Sequence, residues 1–163
     1  MSSYPTNPGQ SSNINLVDIT NKNISNYKNF ENHFSNLSQF LSRIYPDTDS
    51  VVKWCYINVD GKNIGSIWLE TVDNGVAKLG VFIADEKYRN KGYGSDAISK
   101  MLSFAENNGC KILRLNVRTS NIRAFKVYRN LGFNEIKRYT KDNGVDVIQM
   151  ESTQRYEINQ TAA

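Results

Sequence analysis

Apolar residues recur at alternating spacings of three and four through Tyr27, Phe30, Phe34, Leu37, Leu41 and Ile44, which predicts one helical stripe facing a core. Pro46 stops that region, and a break near Ser35-Asn36 can split it into two helices. The period then changes. Val51 to Val59, Asn63 to Thr71 and Val76 to Ala84 read as strands joined by Asp60-Gly61 and Asp73-Asn74-Gly75. Asp-Gly and Asn-Gly supply the positive φ angles of tight hairpins, so the three form an antiparallel meander.

After Ala84 a loop, Asp85 to Tyr93, leads into a segment in which Ala97, Ile98, Met101, Leu102 and Ala105 share a helical face, closed by Asn107-Asn108-Gly109. Leu113, Leu115 and Val117 alternate in a strand that begins near Lys111. Ser120-Asn121 can cap a short helix running to Leu131 and ending at Gly132. A last hairpin pairs Asn134 to Thr140 with Val145 to Glu151 across Asp142-Asn143-Gly144. The predicted fold class is α/β, a mixed α+β arrangement with a mostly antiparallel twisted sheet flanked by helices. Residues 1–12 and 156–163 read as flexible tails around a single domain, 13–155.

A length of 163 residues with 39% hydrophobic content fits one soluble core. No apolar run approaches the roughly 18–20 residues a spanning helix needs, and the first residues lack the regions of a signal peptide, so no membrane partner and a cytoplasmic location are expected. Cys55 and Cys110 form no CxxC and are expected as reduced, buried thiols. His33 is the only histidine, so neither a His-rich metal centre nor a Cys/His nucleophile is expected. The net charge of +4 suits an anionic ligand, but the basic residues are scattered without interleaved aromatics, and no nucleic-acid partner is expected.

The strand-loop-helix around Arg89-Asn90-Lys91-Gly92-Tyr93-Gly94 carries the chemistry. A glycine-bearing loop entering a helix points free N–H groups and the positive helix end at one spot, which suits phosphate. Gly92 to Ala97 also satisfies G-x-G-x-x-A, the dinucleotide fingerprint. That fingerprint should follow the first strand of a parallel array and precede an acidic residue about twenty positions on. Here it follows hairpins, and Arg114, Asn116 and Arg118 stand where the acid should. No Gly-Lys-Ser/Thr follows for a Walker loop.

The run Leu79 to Gly94 resembles the acetyl-CoA motif of the GNAT family of N-acetyltransferases, Arg/Gln-x-x-Gly-x-Gly/Ala. A second motif of that family is similar to Leu115-Asn116-Val117 through Ser120-Asn121, Ala124-Phe125 and Tyr128, closing at Leu131-Gly132-Phe133. The resemblance covers about Val51 to Glu151 and is closest to the branch holding ribosomal-protein N-terminal and spermidine acetyltransferases. It implies acetyl-CoA as co-substrate, an amine acceptor, direct transfer without metal, and the homodimers common in the family.

By the same resemblance, backbone N–H groups from Arg89, Asn90, Lys91, Gly92, Tyr93, Gly94 and Ser95 hold the pyrophosphate. Phe82, Ile83 and Ala84 expose an edge that pairs with the pantetheine arm and polarises the thioester carbonyl. Asn121, beside Ala124, either hydrogen-bonds the pantetheine or caps its helix. Tyr128 falls where members place a tyrosine near the sulfur, and a phenol can donate a proton to a departing thiolate. Glu70, a lone carboxylate after Ile67-Trp68-Leu69, is the candidate base if it faces the acceptor and a surface group if it faces water. Where several members carry a glutamate on the strand before the loop, this chain has Lys78, Gly80 and Phe82, which favours proton loss through ordered water or an α-amine of lower pKa. The alternative to an enzyme is an acyl-CoA-binding sensor or scaffold, which would need the loop but not Tyr128.

Overall fold

The computed structural model describes residues 14–36, 41 and 43–153. Both predicted tails and Leu37 of the helical stripe fall outside the described residues. Seven strands form one sheet: β1 (Ile14–Asp18), β2 (Val51–Val59), β3 (Lys62–Asp73), β4 (Val76–Ile83), β5 (Ile112–Arg118), β6 (Asn134–Thr140) and β7 (Asp146–Thr153). Their order is β1-β2-β3-β4-β5-β7-β6. The meander is as expected, with Asp60 at φ 50° and Gly61 at φ 85° making the first turn. Gly75 at φ 73° closes the second.

Two helices cover one face. Helix α1 (Tyr93–Asn107) buries Ala97, Ile98, Met101 and Ala105. Against them lie Ile67 and Leu69 of β3, Ala77 and Leu79 of β4, and Leu113, Leu115 and Val117 of β5. Each large side chain buried there contributes about 1.5–3 kcal/mol. Helix α2 (Ile122–Asn130) is shallower, packing half-buried Ala124, Phe125 and Tyr128 on the same core.

The opposite face is aromatic. Tyr27 meets Phe30 edge-on at 5.1 Å and Trp54 at 4.9 Å, and Phe82 lies 5.3 Å from Phe30 and 6.2 Å from Trp68. Such pairs add about 0.5–1.5 kcal/mol each beyond burial. The Tyr27 hydroxyl donates to the Ile44 carbonyl, anchoring the segment after the break to the same cluster.

Four expectations need correction. Strand β1 was not anticipated: it is a short edge strand in which only Ile14 is fully buried, too little alternation to register as a pattern. The first part of the stripe, Ile24–His33, is a 3-10 helix, so residues three apart such as Tyr27 and Phe30 line up. Leu41 is 43% exposed and is not core. Cys55 is buried and free, but Cys110 is only half-buried. Burial, with Asp18 beside it, pushes the Cys55 thiol up to about 12, so it stays a thiol.

The interlock of β3 and β4 has a measurable consequence. A Cβ on Gly80 would sit 2.2 Å from Trp68 Cε2, because the indole lies flat across that position. Replacement of Gly80 by Ala is expected to lower stability by about 1–3 kcal/mol, seen as a lower urea midpoint at unchanged slope. An unchanged midpoint would mean that the indole can move aside at no cost.

Candidate functional site

The loop between β4 and α1 is built by short local bonds. Asp85 caps a 3-10 turn, Glu86–Tyr88, by accepting from the Lys87 N–H at 3.0 Å. Asn90 takes a left-handed φ of 63° and Gly92, the residue capping α1, one of 88°. No side chain caps that helix, and its first return bond is from the Asp96 N–H to the Gly92 carbonyl at 3.0 Å. The N–H groups of Tyr93, Gly94 and Ser95 therefore converge outward with the helix dipole behind them, a ready anion cradle.

Arg89 differs from its expected part. Its backbone N–H is already donated to Glu86 O at 3.1 Å. Its guanidinium donates to Ile83 O at 2.9 Å and Ala84 O at 3.1 Å, so the visible work of Arg89 is to tie the loop back onto the end of β4. Asn90 and Lys91 are exposed beside the cradle.

The second feature is a wedge in the sheet. β4 and β5 run parallel, but their register extends only over Val76–Ile112, Ala77–Leu113 and Lys78–Arg114. Beyond that, residues 79–83 and 115–118 diverge and do not pair with each other. Polar backbone groups in such a gap call for a ligand or water. An extended chain can enter as an added strand. Phe82 turns its ring into the aromatic cluster, Ile83 packs toward α1, and Ala84 is buried, its N–H donating to Ile64 O at 2.9 Å.

Asn121 accepts from the Ala124 N–H at 3.2 Å and so caps α2; that side-chain oxygen is engaged in the cap. Tyr128 is half-buried, its ring 6.3 Å from Phe133. Burial raises its phenol above the usual value, with the charge of Arg43 opposing. Glu70 is half-buried on the aromatic face, where one of its oxygens accepts from the Trp68 indole at 2.9 Å and from the Asp47 N–H at 3.0 Å. His33 is exposed and lines a groove of about 400 Å³ with Lys62, Asn63 and Asp85, beside the β2–β3 turn. Among the described residues no group of three or more His, Cys, Asp or Glu is placed to hold a metal ion.

Sequence reasoning missed a cluster on the aromatic face of the wedge. Leu115 and Val117 point into the helix-side core, so Arg114, Asn116 and Arg118 point the other way, as do Lys78 and Gly80 of β4. Asn116 Oδ1 is buried there without a hydrogen-bond partner. Lys141, from the β6–β7 turn, is lowered by burial and then by the charges of Lys78, Arg43 and Arg118. Arg43 is likewise lowered by burial and by Arg118. Four segments far apart in sequence supply these cations, so no local motif announces them; only the strict alternation of β5 could have.

The model of the acetyltransferase (GNAT) family matches residues 19–133, and the chain belongs to that family. An uncharacterised N-acetyltransferase of Methanocaldococcus jannaschii is 30% identical over 83 residues, 47% of this chain and 37% of that protein. The chain spans about a third of the length of the first such relatives it matches. Among solved structures, a ribosomal-protein alanine N-acetyltransferase from Escherichia coli is 21% identical with a TM-score of 0.67, over 86% of this chain and 93% of that one. An aminoglycoside acetyltransferase in complex with coenzyme A is 16% identical with a TM-score of 0.69, over 92% and 99%. At these identities the two structures establish the fold.

Gly92 supplies the prediction at this level. A Cβ there meets nothing within 4 Å, so the cost of Ala is conformational alone. Gly92→Ala is expected to lose about 1–2 kcal/mol, read by thermal unfolding. A loss well below 1 kcal/mol would show that the left-handed turn is not required.

Proposed function

From membership of that family, we propose that the chain is an acetyl-CoA-dependent N-acetyltransferase that passes the acetyl group directly to a primary amine, a small-molecule amine or a protein N-terminus. The observation that carries this reading is the wedge between β4 and β5 opening beside the uncapped start of α1. A pyrophosphate suits the cradle of N–H groups from Tyr93 to Ser95, and an extended pantetheine arm suits the free side of β4. A solved relative of the same fold holds coenzyme A, in keeping with that assignment.

The chemistry asks little of the side chains. The neutral amine attacks the thioester carbonyl carbon, and a C–N bond forms as charge gathers on the oxygen. A backbone N–H of β4 beside the wedge is a fixed dipole for that charge, an effect of about 3–4 kcal/mol where single donors have been removed. The C–S bond then breaks. Tyr128 protonates the leaving sulfur and recovers a proton from the new amide nitrogen, while the ammonium's first proton has gone to water. Its raised pKa keeps the phenol protonated and able to donate at neutral pH.

Three measurements test this. Calorimetric titration is expected to show saturable binding of acetyl-CoA and none of NADP; absence of acetyl-CoA binding would overturn the reading. Tyr128→Phe is expected to keep acetyl-CoA affinity and lose about 10²–10⁴-fold in turnover; unimpaired turnover would remove the acid role. A phenol raised above its usual pKa of about 10 stays protonated until higher pH. Turnover should therefore climb with pH as the amine deprotonates, with no falling limb below about pH 10. A falling limb near neutrality that disappears in the Phe variant would contradict the assignment.

A further inference from the structure

Asn116 sits where the wedge opens. Carried past its last pair, Lys78 with Arg114, the parallel register of β4 and β5 sets Asn116 across from Gly80. It lies on the face away from the helices, because Leu115 and Val117 point into the aliphatic core. Gly80 offers no side chain, and the Trp68 indole lies over it with its N–H turned to Glu70. Across the gap, Asn116 Oδ1 is buried without a hydrogen-bond partner.

The neighbouring side chains do not serve that oxygen. Arg114, two residues back on the same face, gives its guanidinium to Glu151 at 2.8 Å. Gln149, the cross-strand partner on β7, leaves the oxygen unbonded as well. A buried amide oxygen without a donor is costly, and in a native fold it marks a place that a ligand or water completes.

The geometry of acyl transfer points to the ligand group. A thioester drawn into the wedge at the end of an added strand has its carbonyl plane close to the plane of the sheet. A nucleophile then reaches the carbon from one face of the sheet or the other. The helix-side face is taken up by the packing of α1 and α2, Tyr128 included. The aromatic face is left for the amine, and Asn116 is on it.

We propose that Asn116 holds the acceptor nitrogen: Oδ1 accepts one N–H of the amine, which aims the lone pair at the thioester carbon. This rests on the acetyltransferase reading above and adds to it the residue that grips the nucleophile. Asn116 neither gains nor loses a proton. The C–N bond forms at the held nitrogen and the C–S bond breaks, while Tyr128 and water carry the protons. An amide oxygen, unlike a carboxylate, does not hold the nitrogen in its ammonium form by charge.

The test follows thiol release from acetyl-CoA with spermidine, kanamycin and an alanine-initiated tetrapeptide in the parent, Asn116→Leu and Asn116→Asp. Asn116→Leu is expected to keep the parent's acetyl-CoA affinity by calorimetry and to lose about ten- to a hundredfold in kcat/KM for the preferred amine. Asn116→Asp places a charged acceptor of the same shape at the same point. Its ratio of kcat/KM at about pH 7 to that at about pH 9 is expected to rise about threefold or more, as the carboxylate takes the ammonium proton. A merely structural role would leave that ratio unmoved.

Unchanged turnover in Asn116→Leu, the outcome if the oxygen meets only water, would overturn the assignment. A loss confined to acetyl-CoA affinity would overturn it too, giving the oxygen to a pantetheine N–H. If Asn116→Leu does not fold, an unchanged pH ratio in Asn116→Asp has the same force. A parent that binds acetyl-CoA but releases no thiol with any of the amines would overturn the transfer reading and this assignment together. Variants that match an active parent would overturn the role of Asn116 alone.

Discussion

The structure turns on the point where β4 and β5 stop being a ladder. Three paired positions hold them together, anchored by the Lys111 and Ile112 N–H groups donating to the Gly75 carbonyl at 2.7 and 3.0 Å. After Lys78 they separate. An open ladder exposes backbone groups that would cost free energy if left dry, so the fold must brace both sides of the gap independently. On one side β4 is held by twelve-residue β3 and by Arg89 gripping Ile83 and Ala84. On the other, β5 is held by β7 along its whole length, from Ile112–Thr153 to Arg118–Val147. The wedge persists because each strand is fully committed elsewhere.

The two faces of the sheet then take different parts. Toward α1 the packing is aliphatic and dense, which fixes the helix and so the direction in which its first N–H groups point. Away from it, Tyr27, Phe30, Trp54, Phe82 and Trp68 build a wall from segments widely separated in sequence. Gly80 is the hinge between these demands: without a side chain, β4 lets Trp68 lie across it and carry the indole N–H to Glu70. In consequence the carboxylate considered as a base is oriented by the wall it sits in, one oxygen occupied by two donors.

What the sequence disclosed and what it hid follow from the range of the forces involved. Turns, strand periods and the cap at Asn121 are local, and Asp60-Gly61, the Leu113-Leu115-Val117 alternation and the glycines of the phosphate loop were legible from neighbouring residues alone. Helix α1 was legible because its buried face is continuous. Strand β1 was hidden because an edge strand buries one side chain and borrows its order from β2. The 3-10 geometry of residues 24–33 was hidden because spacings of three and four fit either helix until packing chooses. Arg89 was read for its backbone N–H alone; that this N–H turns back to Glu86 O while the guanidinium grips Ile83 O and Ala84 O emerges only once the loop is folded. The cation cluster was invisible because Arg43, Lys78, Arg118 and Lys141 meet only in three dimensions.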